Sequence, residues 1–409
     1  MWWNQHVILI YFLLAGLQLV SCRPHFSRML ATSSEIVKVG QLTSNGSCGD
    51  FQSYIQHGES DLAPRVIRLN FHFMNSQSGA MNYTSEEATV FAHELLKAAN
   101  AAIESNQKMW LPPGNDTPVL PIGYRYVITS SAGYESERGI YCHHDDERYF
   151  FVSRGRNKNN YDRSVIRKYG IGLDSILNVF VMPHHPDSIL SPSYDLTSAG
   201  IALGSAIKLS GVYESGKKPS EFRGLLNHEI GHVLGLRHTW SGNDGCDDTP
   251  THPNCWNRTS DPPCDSMASN NLMDYNANQH AWTPCQIGRI HQNMSNENSL
   301  ARRLLVPTWC KLEGEKTLEI GDSTVWNGSF DLNSNLVVSS GATLRIRCRV
   351  SMPAGSSIVV EPDGHLILEE ATLHNACGLQ WDGIYLSSRG KSKGRLTLIG
   401  NNLISETEW

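Results

Sequence analysis

The sequence predicts a mixed α/β region followed by an all-β region. Between about residues 61 and 305, apolar runs typical of strands alternate with amphipathic segments typical of helices, which indicates an α/β or α+β domain. From residue 310 to 409, segments such as "TLEIG" and "GRLTLIG" alternate apolar and polar residues between Gly, Ser and Pro turns, which indicates strands alone. With 409 residues, 40% of them hydrophobic, the chain is long enough to form more than one core.

Residues 1–21 have the pattern of a signal peptide. The apolar run from Val7 to Val20 has 14 residues, fewer than the roughly 20 that a membrane-spanning helix needs. We therefore expect an exported protein that is secreted or held at the cell surface. "LVSC" resembles a bacterial lipoprotein signal, in which a lipid on Cys22 would attach the protein to the membrane. "MWWNQH" contains no Lys or Arg, so cleavage nearby without a lipid is the alternative.

The charge distribution argues against a nucleic-acid partner. Lys+Arg 34 stand against Asp+Glu 40, the formal net charge is -6, and no long run of either sign occurs. A nucleic-acid-binding surface needs clustered basic residues. We therefore expect no nucleic acid among the partners.

The elements of the α/β region follow from the positions of the apolar residues. Strands are predicted at Arg65–Met74, at "YRYVIT" and at Ser175–Met182, and an apolar, edge-like element at Ala199–Tyr213. A helix is predicted at Ser85–Asn106, with Ser85 as its cap, acidic residues in the first turn and apolar residues at helical intervals.

The stretch "HEIGHVLGLRHTW" places three histidines around one glutamate. On a helix, His228 and His232 project from the same face and can bind one metal ion. Gly235 can take the positive φ that ends a helix, so that His238 returns as a third ligand. This set leaves the fourth position of a tetrahedral Zn2+ site for water. Glu229 lies beside the ligands and would act as general base towards that water.

The spacing of "HEIGHVLGLRH" resembles the metzincin signature, which implies a methionine turn downstream, and "NLMDYN" matches it. Met273 would form an apolar floor beneath the three histidines. Tyr275, two residues later, would lie within reach of the metal or of the oxyanion formed during attack on a peptide bond.

Together, "HEIGHVLGLRHTW", "GCDDTP" and "NLMDYN" resemble the pappalysin family of metzincin zinc metalloproteases. About 240 residues, from Asp61 to Arg302, fit the catalytic domain of that family. The resemblance implies a metzincin-like catalytic domain with a zinc-bearing active-site helix, a lower irregular half-domain, and a cleft for an extended peptide. It also implies Ca2+ near the turn of Asp247, Asp248 and Thr249, without assigning its ligands.

The chain has ten cysteines, and in an exported protein disulfides are the expected state. Two disulfides are expected in the Pro-, Asn- and Asp-rich loop that holds Cys246, Cys255, Cys264 and Cys285. They agree with the family resemblance, and among the three connectivities we favour the interleaved one, Cys246 with Cys264 and Cys255 with Cys285. Zinc binding by these cysteines is disfavoured, because the chain has no CxxC pair.

Cys48 lies in a segment, residues 22–60, that we interpret as a pro-segment. Some pappalysin-like zymogens have a cysteine before the catalytic domain, so one interpretation is a latency switch, in which the Cys48 thiolate occupies the open zinc position. The other is a disulfide between Cys48 and Cys142. The sequence leaves both open.

The β-rich region, residues 310–409, has weak internal repeats. Gly341 and Gly364 are 23 residues apart, and "GHLIL" is echoed by "GRLTL". Such spacing predicts a parallel β-solenoid, with a β-sandwich as the alternative. The last residues, "ISETEW", lack the polar cap that normally closes a solenoid, so we expect the chain to be a fragment.

The function predicted from these features is that of an exported zinc-dependent endopeptidase. It would hydrolyse the peptide bonds of proteins by zinc-activated water, with Glu229 as general base. The alternative from another class is a catalytically inactive cell-surface protein that binds peptides or mediates adhesion. Loss of activity would be expected to show first at Glu229 or a histidine ligand, and all four residues are present. A purely structural zinc site would need a fourth protein ligand.

Overall fold

The computed structural model describes residues 27–31, 36–39, 48, 50–55, 63–77, 79, 81–155, 158–193, 197–240 and 242–407. The predicted signal peptide and Cys22 lie outside these residues. Within the described part of the chain, no helix combines the length and the apolar character needed to cross a bilayer.

The N-terminal and α/β parts contain eight strands and six helices among the described residues. The strands are β1 (Ser27–Leu30), β2 (Ile36–Val39), β3 (Arg65–Asn75), β4 (Tyr124–Ile128), β5 (Ile140–His144), β6 (Leu177–Val181), β7 (Ala199–Ala202) and β8 (Ala206–Ser210). The helices are α1 (Ser85–Glu104), α2 (Ser164–Tyr169), α3 (Pro186–Ile189), α4 (Arg223–Val233), α5 (Pro284–Ser295) and α6 (Leu300–Arg303). Short 3₁₀ turns cover Phe51–Tyr54, Glu135–Glu137 and Pro219–Phe222.

A six-stranded sheet organises the α/β region. Its order is β4-β3-β6-β8-β7, with β5 also paired to β3, and β7 is the one strand that runs antiparallel to its neighbour. Most of β3 is buried, because helices and loops cover both of its faces. The predicted edge element at Ala199–Tyr213 is thus a hairpin of β7 and β8, which leaves β7 at the edge of the sheet.

Helix α1 begins with a capping box, because the Thr84 side chain accepts from the Glu87 amide and the Glu87 carboxylate accepts from the Thr84 amide. The cap therefore lies one residue before the predicted Ser85, and the helix ends at Glu104 rather than Asn106. Its apolar face contributes Phe91 and Leu95 to the main core, which also contains apolar residues of α4 and α5. This core fixes α4 against the sheet.

The β region contains thirteen strands between residues 317 and 404. They are β9 (Thr317–Ile320), β10 (Thr324–Trp326), β11 (Phe330–Asp331), β12 (Asn335–Val338), β13 (Thr343–Ile346), β14 (Arg349–Ser351), β15 (Ser357–Val360), β16 (His365–Glu369), β17 (Thr372–His374), β18 (Gly383–Arg389), β19 (Ser392–Lys393), β20 (Arg395–Ile399) and β21 (Leu403–Ile404).

Successive strands of the β region fall in turn on three parallel sheets, β9-β12-β15-β18, β10-β13-β16-β20 and β11-β14-β17-β21. Inward-facing side chains stack in register, so that Leu344 lies opposite Leu366 and Leu366 opposite Leu396. The repeated "GHLIL" and "GRLTL" segments are therefore neighbouring strands. All three sheets contribute to one apolar core.

The N-terminal strands belong to the sheets of the β region. β1 pairs antiparallel with β18, and β2 pairs parallel with β20. The next segment, Phe51–Tyr54, packs on α5, where the Arg289 guanidinium lies over the Phe51 ring. The described part of the predicted pro-segment, residues 22–60, thus links the β region to the α/β region.

A buried ion cluster joins the two regions. The Asp331 carboxylate on β11 binds both terminal nitrogens of Arg302 on α6, and its Oδ1 also accepts from Arg349 of β14 at 2.8 Å. Arg349 in turn donates to the backbone carbonyl of Ser295, at the end of α5. Oε1 of Glu297 lies 3.6 Å from the same Arg349 nitrogen, so two carboxylates face the two guanidinium groups.

Four disulfides are formed among the described residues: Cys48–Cys348, Cys246–Cys285, Cys255–Cys264 and Cys310–Cys377. The loop that follows the histidine motif holds two of them, as expected, but their pairing is nested, so the interleaved prediction is corrected. The pairing depends on how the loop folds back onto α5, which contains Cys285, and spacing alone does not encode that.

Both interpretations of Cys48 are also corrected. Its sulfur is bonded to Cys348, so it is not a thiolate available to a metal, and Cys142 is a free, half-buried thiol. Because β1, β2 and Phe51–Tyr54 fix the N-terminal segment against the β region and α5, Cys48 lies next to β14 rather than at the histidines.

Candidate metal centre

Helix α4 carries "HEIGH" and ends as the sequence predicts. Gly235 has a φ of 98°, its amide donates to the His232 carbonyl, and the Leu236 amide donates to the Gly231 carbonyl. This pair of bonds is a Schellman motif, which reverses the chain at the end of a helix. The reversal returns His238 to the face of α4 that bears His228 and His232.

The three histidine side chains converge through their Nε2 atoms. The Nε2 of His238 lies 3.2 Å from that of His228 and 3.1 Å from that of His232. Two nitrogens that bind one zinc ion in a tetrahedron lie about 3.3 Å apart, given Zn–N distances of about 2.0–2.1 Å. Both distances therefore fit one zinc ion, and the ligand atoms of all three histidines lie within 4.8 Å of one another.

The hydrogen bonds of the other ring nitrogens fix the tautomers. Nδ1 of His228 lies 2.7 Å from the Leu272 carbonyl, and Nδ1 of His232 lies 3.0 Å from the Leu236 carbonyl. A carbonyl only accepts, so each Nδ1 carries the proton and each Nε2 presents a lone pair. Burial lowers the pKa of His228 to about 3 and that of His238 to about 4, which keeps both imidazoles neutral, as metal ligands must be.

Glu229 lies next to the ligands and is 5% exposed. Burial raises its pKa to about 8, and a hydrogen bond from the Ala202 amide, on strand β7, partly offsets this. The carboxylate is therefore enclosed between α4 and the edge of the sheet. A desolvated carboxylate beside a metal site is well suited to accept a proton.

The Met-turn lies directly beneath the histidines. Met273 is fully buried, and its sulfur contacts Gly231, which is between His228 and His232 on α4. The Asn271 side chain accepts from the Met273 amide at 2.9 Å and shapes the turn. The structure thus places Met273 where the sequence predicts an apolar floor.

Tyr275 and Trp240 enclose His238. The Tyr275 ring meets the His238 ring edge-on at 4.8 Å, the Trp240 ring stacks on the His238 ring at 5.4 Å and 21°, and the Trp240 and Tyr275 rings contact each other at 5.4 Å. Tyr275 is 45% exposed, so its hydroxyl can face both the site and solvent. Trp240 is part of the quoted motif stretch, but no sequence pattern assigns it a role.

A buried hydrogen-bond network lies behind the histidine ligands, and no sequence pattern predicts it. The Asp274 carboxylate accepts from the hydroxyl of Thr239, the residue after His238, and lies 2.9 Å from Nε2 of His252. Burial lowers the pKa of His252, but Asp274 outweighs this and raises it overall. His252 belongs to the disulfide-bonded loop, so this network holds the loop, the Met-turn and the third histidine together.

The residues proposed for calcium are used in other contacts. The Asp248 carboxylate accepts from the Thr283 hydroxyl at 2.7 Å and from the Cys285 amide at 3.0 Å, at the start of α5. The Thr249 hydroxyl donates to Asp244. The comparisons below give no support for Ca2+.

Comparison with known proteins identifies the same segment. Residues 190–295 match the family model Peptidase_M43, described as pregnancy-associated plasma protein-A. Solved structures similar to this chain include mirolysin in complex with compound 9, with 17% sequence identity, covering 60% of this chain and 97% of that chain at a TM-score of 0.42. They also include mature mirolysin of Tannerella forsythia in complex with a cleaved peptide, with 16% identity, covering 60% and 96% at a TM-score of 0.38. No curated protein matches the chain.

The matched segment contains the three histidines, Glu229 and Met273. The protein is a metallopeptidase, with the helix, glycine turn and methionine turn of the metzincin class. Within that class, residues 190–295 match the model of the pappalysin family, and metzincin metallopeptidases use zinc.

Proposed function

We propose that the protein is an exported zinc endopeptidase that cleaves peptide bonds of proteins. The observation that carries this proposal is the convergence of three histidine Nε2 atoms beside the buried Glu229 side chain. His228, His232 and His238 would hold the zinc ion. Zinc bound there would polarise the substrate carbonyl and lower the pKa of a water molecule.

Glu229, Tyr275 and strand β7 would each have a separate role in the reaction. Glu229 accepts a proton from water at its carboxylate, and the enclosure between α4 and β7 keeps competing solvent away from that carboxylate. The Tyr275 hydroxyl stabilises the negative charge that develops on the carbonyl oxygen. Because β7 is an edge strand next to Glu229, an extended peptide can add to it by backbone hydrogen bonds.

Export is supported by the disulfides. Four disulfides in one chain are typical of an oxidising compartment outside the cytosol, which agrees with the signal-like segment at residues 1–21. We propose that the protein is secreted or held at the cell surface, in the latter case by a lipid on Cys22. Radiolabelled-lipid incorporation into wild-type protein, but not into Cys22→Ala protein, would test the anchor.

We also propose that the β region is a parallel β-solenoid. Its three parallel sheets, with Leu344, Leu366 and Leu396 stacked in register, support one rung per repeat of the sequence. β1 and β2 would then extend two of these sheets by one strand each.

The test of the peptidase proposal is digestion of a peptide library by the purified protein, with and without a zinc chelator. Glu229→Gln should retain zinc but lose about a thousandfold or more in kcat, since the amide preserves the shape of the side chain and cannot accept a proton. Glu94→Gln, on the exposed face of α1, is the matched control and should behave as wild type.

Two outcomes would contradict the proposal. Near-normal turnover by Glu229→Gln would remove its role as general base. A zinc-loaded wild-type protein that binds peptides of the library without cleaving any would favour the inactive peptide-binding protein instead.

A further inference from the structure

Strand β7 crosses α4 closely at one residue, Gly200. Gly200 lies opposite Leu209 in the antiparallel pair of β7 and β8. Ala199 and Ile201, on either side, pack against the apolar cluster on the opposite face of the sheet. By the alternation of a strand, Gly200 therefore faces α4.

The space that a side chain at Gly200 would need is filled by Glu229. A Cβ atom on Gly200 would lie 2.6 Å from Oε1, 2.7 Å from Cγ and 2.9 Å from Cδ of Glu229, and these are its three nearest atoms. Carbon atoms do not approach other heavy atoms this closely without repulsion. Gly200 is not among the residues with positive φ, so the backbone conformation itself does not require glycine.

Neither partner has free room to withdraw. Four residues of β7 are paired with β8, which ties the strand to the sheet. Glu229 is 5% exposed and lies between the two histidines of α4 in sequence. Because the surrounding side chains are closely packed, its side chain cannot change rotamer without a clash. A substitution at Gly200 therefore acts first on the position of the Glu229 carboxylate.

We propose that Gly200 is a positioning residue for Glu229, because the absence of its side chain provides the space in which the general base is held. The proposal rests on the proposed function for its catalytic consequence. The contact between the two residues stands on the geometry alone.

The first experiment compares Gly200→Ala with wild type in peptide cleavage. We expect kcat to fall about a hundredfold, which is typical of a catalytic group displaced by about 1 Å. KM should change much less and the zinc content should stay at the wild-type level, since His228, His232 and His238 are unchanged. Gly321→Ala is the control: a Cβ there would meet no atom within 4 Å, and kcat should remain normal.

The second experiment is a double-mutant cycle read by melting temperature. Gly200→Ala should lower the Tm of the wild-type protein but not that of Glu229→Ala protein, because truncation of Glu229 removes all three close atoms. This cycle tests the contact between Gly200 and Glu229 even if the wild-type protein cleaves no peptide. A failure of the proposed function can therefore be distinguished from a failure of this proposal. A normal kcat for Gly200→Ala, a loss of zinc by that variant, or an equal fall in Tm in both backgrounds would overturn the proposal.

Discussion

Replacement of Asp331 by Asn tests what holds the β region on the α/β region. The amide has the same shape as the carboxylate but removes the charge that compensates Arg302 and Arg349. Those two side chains are 6% and 11% exposed, so Arg302 would remain buried without a counter-ion and Arg349 would keep only Glu297, 3.6 Å away and 37% exposed.

Two estimates give the size of the effect. Removing one partner of a buried ion pair costs about 3–5 kcal/mol. Burial alone would raise the pKa of Asp331, but Arg349 and Arg302 outweigh it and lower the pKa from 3.8 to about 2. A shift of that size corresponds to about 2–3 kcal/mol of folding free energy. We therefore expect Asp331→Asn to lose about 2–5 kcal/mol.

The same shift predicts the direction of the pH dependence. A carboxylate with a lowered pKa contributes stability that is fully present above its unfolded pKa, about 3.9, and is lost as pH falls through the folded value. Wild-type stability should therefore fall between about pH 4 and pH 2, and Asp331→Asn should lack this component.

Urea unfolding of the full, zinc-loaded chain, followed by tryptophan fluorescence and far-UV circular dichroism, provides the measurement. Two probes are needed, because a chain with two regions can unfold in more than one step. Glu147→Gln is the control: its carboxylate pairs with Arg148 but is 77% exposed, so the change should cost less than about 1 kcal/mol. If Asp331→Asn were as stable as Glu147→Gln, the ion cluster would not be a source of stability.

Two further predictions concern Tyr275 and Cys48. Tyr275→Phe should lower kcat by about ten- to a thousandfold with little change in KM, because the hydroxyl acts chiefly on charge in the transition state; an unchanged kcat would leave it without a catalytic part. Non-reducing peptide mapping should find Cys48 linked to Cys348, and Cys48→Ser should lower the Tm, since that disulfide joins residues 300 apart in sequence. Cys48→Ser should not raise peptidase activity in unprocessed protein, and a rise would favour the interpretation of Cys48 as a latency switch.

The features predicted from sequence are those that local chemistry determines. The spacing of His228, His232 and Gly235 sets both the ligand face and the helix end, because each depends on residues within one or two turns. Strand β3 and helix α1 were located to within one or two residues at most ends, since their apolar periodicity and capping are also local.

The features missed depend on contacts between distant parts of the chain. Gly200 meets Glu229 only because a hairpin edge packs on α4, and nothing around Gly200 in sequence records this. His252 and Asp274 pair across the disulfide-bonded loop. The partners of Cys48 and Cys285 likewise depend on how the segments fold back, and cysteine spacing alone leaves several connectivities open.

The pairing of β1 with β18 has a consequence for biosynthesis. Residues 27–30 leave the ribosome long before their partners, residues 385–388, are made. At translation rates of about 5–20 residues per second, the N-terminal strands wait tens of seconds for the strands they pair with. Folding of the metal-binding region can proceed during this interval, but β1 and β2 can pair with β18 and β20 only after those strands have been made. An emerging chain therefore exposes unpaired strand edges for that time, and holdase chaperones are expected to matter most for this segment.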